Sequence, residues 1–170
     1  MFLNYIKEFF VKKSLKNNLS NQKNADFSKN IQTIGLLVDE SNSNHSETLL
    51  KELMLQGIAP ESIKVVVYNE KFKKKETYLR PTFGKSHINW KGEITEDFLN
   101  EFINSDFDLL LSYYNEENKF LMMITNKSKA KFKIGFASVD NNLNRLMINT
   151  ELENYKLFVS ELFRYLKNIK

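Results

Sequence analysis

The chain has 170 residues, 42 % of them apolar and 13 % aromatic. That is enough for one domain to bury roughly 70 % of its unfolded surface without staples. Cysteine is absent, which excludes disulfides, zinc–thiolate centres, iron–sulfur clusters and cysteine nucleophiles, and fits a reducing compartment. The net charge of +4 is carried entirely by residues 1–30, where Lys7, Lys12, Lys13, Lys16, Lys23 and Lys29 face only Glu8 and Asp26; the remainder is neutral.

Phe2, Leu3, Ile6, Phe9, Phe10 and Leu15 recur at helical spacing, which predicts a basic amphipathic helix over residues 2–17. A signal peptide does not fit, because no basic n-region, uninterrupted apolar core or small-residue cleavage site is present. The apolar stripe suits packing on the domain, on a protein partner or on a second copy first. Peripheral attachment to an anionic membrane surface through Lys7, Lys12, Lys13 and Lys16 comes second. Nucleic acid ranks last, since lysines attract phosphate without specifying sequence. Residues 17–30, rich in Asn, Ser and Lys, read as a linker.

From residue 31 the pattern changes to alternating strands and helices. "IQTIGLLV" is a strand buried on both faces, and "DESNSNHSE" a polar loop. Asn44 and Glu47 have capping-box spacing before a helix that ends at Gly57, where a left-handed residue is wanted. "IKVVVY" is the second strand, and "NEKFKKKETYLRPTFGKS" a surface loop with basic groups from Lys71 to Arg80. A short strand at "HINW" precedes a helix capped by Thr95; "FDLLLSYY" is a third buried strand, and "NEENKFLMMITNKS" a helix. In "KFKIGFA" lysines alternate with apolar residues, as on an edge strand whose outward Lys131 and Lys133 discourage pairing with another chain. Thr150 and Glu153 suggest a capping box opening a final helix to about Ile169. The order predicts a single α/β domain over 31–170, Rossmann-like and three-layered, with a mostly parallel sheet.

The five glycines, at 35, 57, 84, 92 and 135, are isolated, so neither a dinucleotide fingerprint nor a P-loop is present. His45 and His87 are the only histidines and lack metal-ligand spacing; His45 reads as a solvated first-turn residue. No cofactor, metal ligand or catalytic residue is assigned, which favours a protein that is not an enzyme. In open α/β sheets, ligands sit beyond the carboxyl ends of the strands. That rule selects Asp39, Glu40 and Ser41, then Asn69 and Glu70, then Ser112, Tyr113, Tyr114 and Asn115. The longest apolar runs are far below the ~20 residues of a membrane span, so the expectation is a cytoplasmic protein, with the inner membrane surface as one contact for the arm.

"FDLLLSYYNEENKFLMMITNKSKAKFKIGF", residues 107–136, resembles a family of small bacterial proteins described as a domain of unknown function. The likeness extends over residues 30–170 through "GLLVDE", "IKVVVYNE", "INWKGEI" and the terminal helix, and implies one domain. The same segment of about 30 residues is similar to the N-terminal half of heptosyltransferase-like glycosyltransferases, whose two Rossmann-like domains close over a nucleotide-sugar. That likeness implies a half-fold used as a binding or scaffold module. Two classes remain: a non-catalytic partner-contacting protein, and an enzyme or sensor that binds a nucleotide-like or phosphorylated ligand at the strand ends.

Overall fold

The computed structural model describes residues 31–140 and 142–168; the amphipathic helix and linker expected over 1–30 lie outside them. Six strands form one sheet: β1 (Ile34–Asp39), β2 (Ile63–Tyr68), β3 (Thr82–Phe83), β4 (Leu109–Tyr113), β5 (Phe132–Phe136) and β6 (Leu146–Ile148). Their spatial order is β3-β2-β1-β4-β5-β6, every pairing is parallel, and this is the order of the doubly wound Rossmann fold. The reversal of direction falls between β1 and β4, where Ile34 is in register with Leu109.

The helices are α1 (Ser46–Leu55), α2 (Asp97–Asn104), α3 (Lys119–Lys127) and α4 (Tyr155–Asn168). α1 packs with α4 and α2 with α3. Alternation along the strands assigns the pairs to opposite faces: Tyr113 of β4 meets Tyr155 and Phe158 of α4, whereas its neighbours Ser112 and Tyr114 meet Thr125 of α3. Each helix presents an apolar stripe to the sheet, such as Leu49 and Leu53 of α1 or Phe158, Val159, Leu162 and Leu166 of α4. α1 stops at Gly57, whose φ of 88° is the left-handed conformation expected there.

Several local expectations are corrected. β5 is not an edge strand: β6 covers its outer side. Lys133 is therefore buried, donating from Nζ to the Asn126 carbonyl at 3.2 Å, and burial lowers its pKa to about 8. Lys131 pairs with Asp108 at 2.7 Å. β3 lies within the stretch expected as a surface loop, and "HINW" contributes only an isolated bridge, Ile88 to Ile94. The anticipated caps at Asn44, Thr95 and Thr150 are not used. α4 starts at Tyr155, with the Asn154 side chain accepting from Leu157 N at 3.3 Å. Thr95 turns back to the His87 carbonyl. α1 is capped from Glu40, described below.

Asp108 ties together the amino ends of three strands. Its Oδ2 accepts from Gln32 N and Thr33 N at 2.9 and 3.1 Å, and its Oδ1 from Lys131 Nζ. Burial opposes ionisation, but the Lys131 contact and the two backbone donors outweigh it and hold the carboxyl below its usual range. Asp108→Asn is expected to cost about 1.5–3 kcal/mol in urea unfolding, the range for hydrogen bonds to a charged group. Because the native pKa is depressed, this contribution is present above the unfolded carboxyl pKa of about 3.9 and disappears as pH falls through the native value. Wild type and variant should therefore converge in strong acid; a gap that persists there would refute the role given to the charge.

Gly35 sits where a Cβ would lie 2.7 Å from the Phe107 ring. Gly35→Ala should cost about 1–3 kcal/mol by overpacking, with Phe107→Leu in the same chain recovering part of the loss; no recovery would mean that the strain lies elsewhere.

Candidate functional site

The carboxyl ends of the strands hold all of the domain residues selected from sequence, and the structure separates them into three environments. After β1, the loop is stitched to itself. Asp39 Oδ1 accepts from Ser41 N and Ser41 Oγ at 2.9 and 2.6 Å, and Ser41 Oγ accepts from Glu70 N at 2.9 Å. Glu40 Oε1 accepts from His45 N at 3.1 Å and Ser46 N at 2.8 Å. The carboxylate thus occupies the positive end of α1, the position a Rossmann fold commonly offers to phosphate. Asn69 Oδ1 accepts from Lys71 N, closing the turn after β2.

Ser112, Tyr113 and Tyr114 are all buried. The Ser112 and Tyr114 hydroxyls meet Thr125 Oγ1 at 2.9 and 2.8 Å. Tyr113, on the other face, donates to the Leu152 carbonyl at 2.5 Å. Burial raises the pKa of both tyrosines. The Asn115 carbonyl accepts from Ser138 Oγ at 2.6 Å, which joins the loops after β4 and β5.

His45 corrects the expectation of a solvated residue, being only 4 % exposed. Its Nδ1 shares a 2.6 Å hydrogen bond with the Tyr155 hydroxyl, and its ring lies against Tyr113 and Tyr155. Desolvation lowers its pKa, and the carboxylates of Glu153, Glu40 and Asp39 only partly offset that.

The third environment was not selected as a whole. An open cavity of about 390 Å³ lies at the end of β2 and the start of α3. Its inner wall is Tyr68 and Phe120, whose rings stack at 6.2 Å, with Met122 beside them. Asn118 caps α3, its side chain accepting from Phe120 N and Leu121 N at 3.0 and 3.4 Å. Glu70, paired with Lys85 at 2.6 Å, and Glu117 and Lys119 complete the lining. Tyr68 is fully buried, and its hydroxyl has no hydrogen-bond partner among the described residues. Burial pushes its pKa up to about 12; the neighbouring Asn118 side chain lowers it without closing a hydrogen bond of normal geometry. The strand-end rule picked Glu70 but stopped short of Tyr68, because the last residue of "IKVVVY" reads as core. Lys85 and the residues from Glu117 to Phe120 are distant from β2 in sequence, and only the Asn118 cap has a local signal.

The lysines of the arm, Lys7, Lys12, Lys13 and Lys16, lie outside the described residues. Among the described residues, no group of three or more His, Asp or Glu side chains is placed to hold a metal ion, and no helix is long and apolar enough to cross a membrane.

Fold and strand ends together define a Rossmann-like α/β domain whose first phosphate-type position is filled by its own carboxylate. The chain belongs to the family described as "Family of unknown function (DUF6913)", whose model matches residues 7–169. No curated protein and no solved structure matches it, so the likeness to heptosyltransferase-like enzymes rests on the sequence segment alone.

The environment of His45 has a measurable consequence. With its native pKa below the unfolded value of about 6.5, the unfolded chain binds the proton more readily. Stability should be level above pH 6.5 and fall as pH drops from there towards the native pKa. His45→Asn, which keeps a polar atom near the Tyr155 hydroxyl, should flatten that slope in urea unfolding between pH 5 and 7; an unchanged slope would assign it to other groups.

Proposed function

We propose that this chain is a non-catalytic binding or scaffold protein of the cytoplasm. In this reading the Rossmann-like domain is the folded platform, and the basic residues 1–30 contact a protein partner or the inner membrane surface. The observation that carries it is the Glu40 carboxylate on His45 N and Ser46 N. A phosphate brought to the start of α1 would meet a like charge there and lose the N–H donors that normally hold it. The charge distribution supports the second half: the neutral remainder carries none of the +4, and six lysines crowd the first thirty residues. A cavity of about 390 Å³ at the ends of β2 and α3 favours the alternative of a small-ligand sensor or enzyme, and keeps that reading in view.

Three measurements test the proposal. Nucleotides and nucleotide-sugars at millimolar concentration should leave the melting curve unmoved, whereas a ligand at ~100 times its Kd would add ~2.7 kcal/mol; a clear rise would favour the alternative. Glu40→Ala should destabilise the domain by about 1 kcal/mol through loss of the α1 cap. Deleting residues 1–20 should change membrane fractionation or the mass in solution while leaving the unfolding midpoint in place. Unchanged fractionation and unchanged mass would defeat the role of the arm.

A further inference from the structure

β6 is the outermost strand on its side of the sheet, and its free edge is open. The Ile148 carbonyl accepts from Ala137 N at 3.0 Å on the β5 side, so alternation turns the N–H and C=O of Met147 outward. Neither has a partner among the described residues. Leu146, Met147 and Ile148 include no charge and no proline, the usual devices against edge pairing, and only the shortness of the strand limits it.

The surface beside that edge is apolar. A groove of about 590 Å³ runs between β6 and α4. Met147, Leu157 and Tyr165 are 38, 39 and 38 % exposed, and they gather at this one edge, whereas singly scattered apolar residues would mean nothing. α4 follows β6 and returns antiparallel to it. Tyr165 therefore lies towards the amino end of the sheet, its ring 6.1 Å from that of Phe132, and Leu157 towards the carboxyl end. Glu161 stands midway between them and pairs with Arg164.

This arrangement is complementary to itself. A two-fold axis through Met147, perpendicular to the sheet, sets β6 antiparallel to the β6 of a second copy. The two Met147 residues then exchange both backbone hydrogen bonds, and Leu146 of each copy lies opposite Ile148 of the other. The same axis passes level with Glu161, four residues from Leu157 and four from Tyr165. Leu157 of each copy thus faces Tyr165 of the other, and Arg164 comes within reach of the second Glu161. An isologous contact needs this kind of symmetry, with one acid and one base placed so that each finds its opposite.

We propose that β6 and the outer side of α4 form a homodimer interface, in which two six-stranded sheets join through antiparallel β6 edges. The inference goes beyond the role given to residues 1–30 and does not depend on it.

Sedimentation of the full-length chain at ~0.1 mM, far above a micromolar dissociation constant, should give the mass of a dimer. Met147→Lys sets like charges directly opposite each other, and Leu157→Asp presses a carboxylate against Tyr165. Each should weaken association by about tenfold or more while leaving the far-ultraviolet spectrum in place, since both positions are exposed in the single chain. The sequence has no cysteine, so Met147→Cys supplies a single thiol at the axis. Paired Cα atoms lie ~5.5 Å apart there, and a short bismaleimide should join two copies. Leu79→Cys, exposed in the loop before β3, gives the rate of chance encounters. A monomer at ~0.1 mM would overturn the proposal, because the edge would then be too weak to pair at that concentration. Dimers unmoved by both Met147→Lys and Leu157→Asp would also overturn it and place the contact elsewhere, residues 1–30 included. Met147→Cys linking no faster than Leu79→Cys would do the same.

Discussion

A parallel sheet covered by helices on both faces leaves its strands no wet side, and most of this molecule's chemistry follows from that. Every polar group on a central strand has to be bonded internally or held at a strand end. The domain meets the requirement one residue at a time. Asp108 gathers the backbone donors of Gln32 and Thr33 at the amino end. Ser112 and Tyr114 converge on Thr125 from the α3 side, and Tyr113 reaches the Leu152 carbonyl on the other. Lys133 spends its ammonium on the Asn126 carbonyl. These contacts fix the registers of β4 and β5 as firmly as the apolar packing does, since a slip of one residue would turn each polar group to the wrong helix layer.

The same constraint explains which parts of the fold are legible in the sequence. Apolar runs such as "IGLLV", "IKVVVY" and "LLLSY" declare buried strands directly, and the stripes of Leu49 and Leu53 or Phe158, Leu162 and Leu166 declare helices. β3 and β6, two and three residues long, are too short to carry a period. Without β6 in view, the lysines of β5 look like the outward charges of an edge strand; with it, alternation sends Lys133 into the interior towards α3.

Caps were hidden for a related reason. The sequence signal for a helix start is local, a polar residue and a glutamate three positions on, but α1 takes its cap from Glu40 across an intervening loop. Asn44 and Thr95 have suitable chemistry without suitable placement. Asn118 caps where the local signal says it could, because "NKFLMMI" places it directly before the apolar face of α3. The histidine at 45 looked solvated for the same reason: its burial comes from Tyr155, 110 residues away, and no neighbour in sequence reveals it.

The carboxyl end of the sheet is therefore divided into halves of different character. On the α1 side, Asp39 and Ser41 bond each other, Asn69 Oδ1 is held by Lys71 N, and the helix dipole is met by the Glu40 carboxylate on His45 N and Ser46 N. On the α3 side the dipole is capped only by the neutral Asn118 amide, Glu70 is paired with Lys85, and the Tyr68 hydroxyl is buried with no hydrogen-bond partner among the described residues. Tyr68 is held on two sides by Phe83 and Phe120, so the place of its buried hydroxyl beneath the start of α3 is set by ring packing and not by a hydrogen bond.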